Sequence, residues 1–152
     1  MDLSQVVERG IAVLDPTIKD ADEALGALAK AASRELGVSA AALHDGLRRR
    51  ERLLPTALPE GIALPHTILP EIRRTLVVPM FVPFGVPMAA GEPASDIIIG
   101  LFGGTTNPDA HVRVLGRLAR IASNPRALQS LRSVPSAAEL VHTLLELDAA
   151  YA

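Results

Sequence analysis

The stretch DIIIGLFGGTTNPDAHVRVLGRLARIA, residues 96–122, contains a strand, a loop and a helix in direct succession. Its opening residues, 96–102, show no alternation of polar and apolar side chains, a pattern typical of a central strand covered on both faces. A glycine- and threonine-rich loop follows. Asn107 is then suited to cap a helix, with Pro108 at the first helical position and the helix running to about Ser123. A buried strand followed by a helix is a building unit of α/β proteins.

Helical spacing recurs on both sides of this unit. Upstream, residues 20–37 place apolar side chains on one helical face and end at Gly37, which suits a helix stop. A second helix is predicted from Ser39, as its N-cap, to the arginine-rich residues 48–52. Downstream, residues 124–133 form a short predicted helix, and Ser136 with Glu139 forms a capping box for the last one.

Three further segments are predicted strands. They are residues 10–15, residues 62–64 and the β-rich residues 74–84, in which Pro79 and Pro83 indicate an edge strand or a bulge. Strands interleaved with helices predict an α/β fold with a mixed central β-sheet flanked by helices on both faces. The 152 residues are enough for one core, so we expect a single domain over residues 1–152.

Composition excludes several classes of function. The net charge is −2 and tryptophan is absent, which argues against nucleic acid as a partner. The absence of cysteine removes disulfides, thiolate catalysis and thiolate metal sites. The first ten residues show no secretory signal, and prolines interrupt the longest uncharged run, Leu76 to Gly91. We therefore expect a cytoplasmic protein with no direct membrane insertion.

The four histidines are the main candidates for chemistry. His44 and His142 are predicted to be solvated surface residues. His111 falls in the first turn of its helix, where unpaired N–H groups favour a neutral imidazole and attract an anion; the alternative is a histidine that only bonds the loop. His66 follows Pro65 at a predicted strand exit, a position that suits a nucleophilic imidazole held in one tautomer; the alternative is a polar loop residue without a role.

Metal and nucleotide motifs are weak. A metal at His66 and His111 would need a third ligand at close spacing, and the sequence has no His-x-x-x-His or His-Glu-x-x-His pattern. The loop FGGTTNPD, residues 102–109, lacks the Gly-Lys-Ser/Thr ending of a phosphate-binding P-loop. We expect neither a metal nor a cofactor.

One segment carries a family resemblance: RERLLPTALPEGIALPHT, residues 50–67. It resembles the active-site segment of the enzyme IIA domains of the bacterial sugar phosphotransferase system, in the mannitol/fructose class that includes nitrogen-regulatory relatives. Arg50-Glu51, Thr56 and the Gly61–His66 core match the family pattern in order, with the expected interval of 16 residues from Arg50 to His66. The strand–helix unit at 96–122 is similar to the family's second motif, which includes His111. Pro59 departs from the pattern because many family members have glycine two residues before the position of Gly61. Thr67 departs from it because family members usually have a small residue after the active histidine.

The resemblance implies an enzyme IIA mannitol/fructose-like fold and a phosphotransferase component with a phosphohistidine intermediate. His66 would accept phosphate from the phosphocarrier HPr and pass it to a cysteine of a IIB domain or subunit of a sugar permease. His111 would support the phosphorylated imidazole, Arg50 would neutralise phosphate charge and Thr56 would bind phosphate. Two alternatives stay open: a nitrogen-regulatory protein whose phosphorylation state controls a partner, and a non-catalytic module in which both histidines are structural.

Overall fold

The computed structural model describes residues 2–151 and contains one five-stranded mixed sheet. The strands run along the path β1-β4-β5-β2, and β3 pairs with β5 beyond the end of β2. Their bounds are β1 Val13–Leu14, β2 Ile62–Ala63, β3 His66–Ile68, β4 Leu76–Val86 and β5 Ser95–Gly103. β4 and β5 pair antiparallel, whereas the other strand pairs are parallel. The predicted mixed sheet is confirmed.

Five α-helices and a short 3₁₀-helix at Leu3–Gln5 accompany the sheet in the described part of the chain. The α-helices are α1 Ala21–Leu36, α2 Ala40–Leu53, α3 Pro108–Ala122, α4 Pro125–Leu131 and α5 Ala137–Tyr151. Their ends follow the predicted caps: Ser39 accepts a hydrogen bond from the Ala42 N–H, and Gly37 ends α1 with a left-handed φ of 66°. None of the helices in residues 2–151 combines the length and apolar character needed to cross a bilayer.

The helices cover the two faces of the sheet, as predicted. On one face, α1 and α2 pack on the sheet through one cluster of buried side chains, which includes Leu28, Leu43 and Leu47. On the other face, α3, α4 and α5 pack through a second cluster, which includes Val114 and Leu144. Successive residues of a strand point to opposite faces, so neighbouring side chains on β2 and β3 can face helices of different layers.

The proline-rich strand β4 lies inside the sheet and not at its edge, so of the two predicted alternatives the structure shows the bulge. Its register is irregular between Phe81 and Val86, around Pro83. Pro79 is tolerated because its missing N–H lies on the side away from β5: on that side Val77 N–H bonds the Val6 carbonyl and Phe81 accepts from Asp15 N–H. β1 covers only Met80 and Phe81 there, so no ladder bond is lost at Pro79.

The segment around His66 also differs from the prediction of a strand that stops before Pro65. The chain breaks at Leu64 and Pro65 but resumes as β3, so His66 is the first residue of a strand and pairs with Leu101 of β5. The Pro65 carbonyl still accepts from Leu101 N–H at 3.0 Å. The proline removes one donor but keeps its acceptor, which is why the strand continues beside β5.

Candidate functional site

His66 lies near the carboxyl end of β5, in a part-buried position. Its Nδ1 is 2.9 Å from the Leu64 carbonyl oxygen. A carbonyl only accepts hydrogen bonds, so Nδ1 carries the proton and Nε2 holds the free lone pair. The sequence predicted that a fixed tautomer was needed, and the main chain two residues upstream supplies the acceptor.

His111 stands beside this ring. The two imidazoles meet edge to face, with centroids 5.5 Å apart and planes at 60°. His111 is 5% exposed, and within residues 2–151 neither of its ring nitrogens has a hydrogen-bond partner. Burial, together with the nearby His66 ring, lowers the pKa of His111 from 6.5 to about 4. The ring is therefore neutral near pH 7, with two unused polar atoms beside His66.

Gly103 makes room for His111. A Cβ built on Gly103 would lie 2.6 Å from His111 Nδ1, a distance that no real side chain tolerates. Gly103 is the last residue of β5, and α3 begins with Pro108 after Asn107 accepts from Ala110 N–H. The end of the central strand and the start of α3 thus place the ring against the sheet.

Both histidines line an open cleft of about 890 Å³. One wall is the face of α2 formed by residues at helical spacing, namely Ala42, Asp45, Gly46, Arg49, Arg50 and Leu53. The opposite wall is residues 66–71, and His111 closes one side. The cleft is thus formed by a helix from one layer, a histidine from the other layer and the strand that carries His66.

Arg50 lies on the α2 wall, half-buried, with Nη1 donating to the Leu54 carbonyl at 2.8 Å. That bond holds one nitrogen and leaves the other guanidinium N–H groups available for a ligand in the cleft. Arg49 also lines the cleft, 3.5 Å from Asp45 through its Nε. The structure therefore brings three predicted residues, His66, His111 and Arg50, to one cleft.

Thr56, the fourth predicted residue, does not line this cleft. Its hydroxyl donates to Glu51, and its N–H donates to the other oxygen of the same carboxylate at 3.2 Å. Glu51 follows Arg50 directly, so the two hydrogen bonds from Thr56 stabilise the C-terminal end of α2, the helix that carries Arg50. In this structure Thr56 contributes to the turn after α2 rather than to the wall of the cleft.

Sequence reasoning missed three features of the site. They are the Leu64 carbonyl that fixes the tautomer, the room made by Gly103 and the wall residue Arg49. The paired glycines after Phe102 were the signal for a close approach of side chain to backbone. Within residues 2–151, no group of three or more histidine, aspartate or glutamate side chains is arranged to hold a metal ion.

Comparison with known proteins gives the same family for nearly the whole chain. A family model for the phosphoenolpyruvate-dependent sugar phosphotransferase system, EIIA 2, matches residues 6–147. A multiphosphoryl transfer protein of Xanthomonas campestris is 29% identical over 86% of this chain, and the match spans 15% of that protein. A nitrogen regulatory protein of Bradyrhizobium diazoefficiens is 28% identical over 86% of this chain and 85% of its own length. The mannitol-specific EIICBA component of Vibrio cholerae is 28% identical over 76% of this chain and 18% of that protein.

Solved structures share the fold. The nitrogen regulatory protein IIA-Ntr of Neisseria meningitidis superposes with a TM-score of 0.86 at 24% identity, over 93% of this chain and 98% of that one. The IIA mannitol structure from Escherichia coli gives 0.73 at 23% identity, over 88% and 95%. The sequence match and the mixed sheet agree, and the predicted IIA-like fold is confirmed. The chain belongs to the EIIA 2 family of the phosphoenolpyruvate-dependent sugar phosphotransferase system.

Proposed function

We propose that the chain is a phosphoryl carrier whose His66 Nε2 accepts a phosphoryl group from a phosphorylated HPr-type protein. The group then passes to a cysteine of a IIB domain or subunit of a sugar permease. The observation that carries this proposal is the Nδ1 contact to the Leu64 carbonyl, which leaves Nε2 as the nucleophile in an open cleft. In each step a phosphorus–nitrogen bond breaks while a bond from phosphorus to the incoming atom forms.

The surroundings of His66 suit phosphoryl transfer. The transition state spreads negative charge over three oxygens, so catalysis consists mostly of positioning the groups and stabilising that charge. Arg50 brings a guanidinium whose remaining N–H groups can bind phosphoryl oxygens. His111 is neutral and unpaired, and its single ring N–H can donate to a phosphoryl oxygen. Thr56 acts in this scheme through Glu51, by holding the end of α2 near Arg50.

Exposed apolar side chains surround the cleft and suit the docking of protein partners. Leu53 is 82% exposed and Ile68 is 43% exposed, and both line the cleft; Val112, next to His111, is 69% exposed. Apolar side chains clustered around a polar centre are typical of protein interaction sites. One solved relative of similar fold is a complex of enzyme IIA mannitol with phosphorylated enzyme IIB mannitol from Escherichia coli. We propose cytoplasmic partners of this kind for the single domain predicted over residues 1–152.

The test is phosphorylation by phosphoenolpyruvate, the upstream kinase of HPr, and HPr. We expect one acid-labile phosphate per chain, attached to His66 Nε2, and no phosphate on a His66→Ala variant. His142→Ala is the matched control, because His142 is exposed and bonded to Glu146 on α5. Phosphate that persists in His66→Ala, or that is found on Nδ1, would refute the assignment of the nucleophile.

A regulatory role is the second candidate, supported by the nitrogen regulatory protein of Bradyrhizobium diazoefficiens, of whose length the match spans 85%. In that role the phosphate on His66 changes the affinity for a partner protein instead of moving on to a IIB cysteine. A chase of the phosphorylated chain with IIB domains separates the two candidates: rapid loss of phosphate to a cysteine supports transport. Phosphate retained on His66 in the presence of every IIB domain encoded in the same genome supports regulation.

A further inference from the structure

Gly46 on α2 and Thr67 on β3 meet at the base of the cleft with no space for a side chain between them. A Cβ built on Gly46 would lie 2.5 Å from Thr67 Oγ1, but 3.4 Å from Thr67 Cβ and 3.5 Å from Leu69 Cδ1. Contacts of 3.4 Å and above are ordinary van der Waals distances. The hydroxyl of Thr67 is therefore the one atom of the three that leaves no room for a methyl group.

The two residues belong to the two elements that carry the proposed chemistry. Gly46 lies one helical turn before Arg50, on the same face of α2. Thr67 follows His66 and is 6% exposed, with its side chain buried beneath α2. The distance between Gly46 and Thr67 thus sets how closely the helix bearing Arg50 approaches the strand bearing His66.

β3 is the fixed side of this contact. Thr67 pairs with Phe102 of β5. On either side, the Pro65 carbonyl accepts from Leu101 N–H and Leu69 N–H donates to the Gly103 carbonyl, both at 3.0 Å. With Thr67 in its present rotamer, a methyl group on residue 46 therefore displaces α2 rather than the strand. The displacement needed to open 2.5 Å to 3.4 Å is about 0.9 Å.

We propose that Gly46 and Thr67 act as a spacer, two positioning residues that fix the placement of the Arg50 guanidinium relative to the His66 imidazole. The proposal rests on the function proposed above for the reaction, but the spacing itself does not depend on it. A misplacement of about 1 Å at a group-transfer site can lower the rate on the order of 100-fold. The threonine after His66, which departs from the family pattern, is on this view matched by the glycine at position 46.

The experiment compares four chains: wild type, Gly46→Ala, Thr67→Ala and the double variant. Gly116→Ala is the matched control, because it makes the same change inside α3 at a position where a built Cβ meets nothing within 4 Å. We expect Gly46→Ala to lower the maximal rate of His66 phosphorylation on the order of 10- to 100-fold. The KM for phosphorylated HPr should stay within about 2-fold, since no exposed apolar side chain around the cleft is replaced.

Recovery of the phosphorylation rate in the double variant distinguishes an effect on the position of Arg50 from a general loss of structure. Thr67→Ala removes the hydroxyl and leaves a Cβ at 3.4 Å, so the double variant should recover to within about 3-fold of wild type. If Gly46→Ala does not fold, the same reasoning expects the double variant to fold and transfer. A double variant that is no faster than Gly46→Ala, or that also fails to fold, overturns the spacer.

Crystal structures of the variants keep the two proposals distinguishable. In Gly46→Ala the separation of α2 from β3 should increase by about 0.9 Å, with Arg50 displaced from His66, and both should return in the double variant. These structures test the spacer proposal even if wild type is not phosphorylated. The absence of phosphorylation would refute only the proposed function. A Gly46→Ala structure in which Thr67 rotates and α2 stays in place overturns the spacer.

Discussion

Removal of the His111 imidazole should change the way stability depends on pH. The folded chain holds this ring with a pKa of about 4, whereas an exposed histidine has one of 6.5. Between these values the unfolded chain binds a proton that the folded chain does not, so stability is complete above about pH 6.5 and is lost as the pH falls towards 4. The difference between the two pKa values corresponds to about 3 kcal/mol in the free energy of unfolding. Water that penetrates beside the protonated ring in the folded chain reduces this to about 2 kcal/mol.

The assay is urea denaturation at several pH values from 7 to 4, for wild type and for His111→Leu and His111→Gln. Both variants lack the titrating group, and leucine also removes the two unpaired nitrogens. Carboxylates common to all chains cancel in the difference between wild type and variant. Between pH 7 and pH 4 the free energy of unfolding of wild type should fall by about 2 kcal/mol more than that of either variant. The curve of the control variant His142→Gln should follow that of wild type. Parallel curves for wild type and both His111 variants would refute the buried, neutral ring.

Two further substitutions test the placement of groups around His66. Gly103→Ala puts a methyl group against His111, with the new Cβ 2.6 Å from Nδ1. We expect the variant to lose about 1–3 kcal/mol of stability in thermal unfolding and to be phosphorylated more slowly. An unchanged position of the His111 ring in its crystal structure would contradict this. Arg50→Ala removes the guanidinium from the cleft and should lower the phosphorylation rate on the order of 100-fold. The control is Arg52→Ala, which should be phosphorylated at nearly the wild-type rate because Arg52 is exposed and lies outside the cleft. Equal rates for the two variants would remove Arg50 from the mechanism.

The helices and the central strand could be predicted because their signals are local. Ser39 and Asn107 cap the helices as their side chains indicate, and the uncharged run at 97–102 lies in β5, between β4 and the β2/β3 edge. The position of β4 could not be predicted, because the tolerance of Pro79 depends on which side of the strand its missing N–H faces. That orientation is a property of the sheet register, which no local pattern contains.

The site was predictable at the level of residue identity but not of contacts. His66, His111 and Arg50 were found through a sequence pattern, and the structure brings them to one cleft. The Leu64 carbonyl could not be predicted because its contact depends on the backbone conformation around Pro65 and on the orientation of the His66 ring. The space at Gly103 could not be predicted because it depends on how closely α3 approaches β5. For Thr56 the motif position predicted a contact with phosphate. In the structure its hydroxyl donates a hydrogen bond to Glu51 instead.

The arrangement of the two faces of the sheet explains how groups from both helical layers reach His66. His66 lies on β3, which has α2 on one face of the sheet and α3 on the other, so a cation and a second imidazole approach it from opposite layers. Each approach is set by a glycine: Gly46 allows α2 to descend onto Thr67, and Gly103 allows His111 to lie against β5. A methyl group at either glycine moves one partner and leaves the other in place.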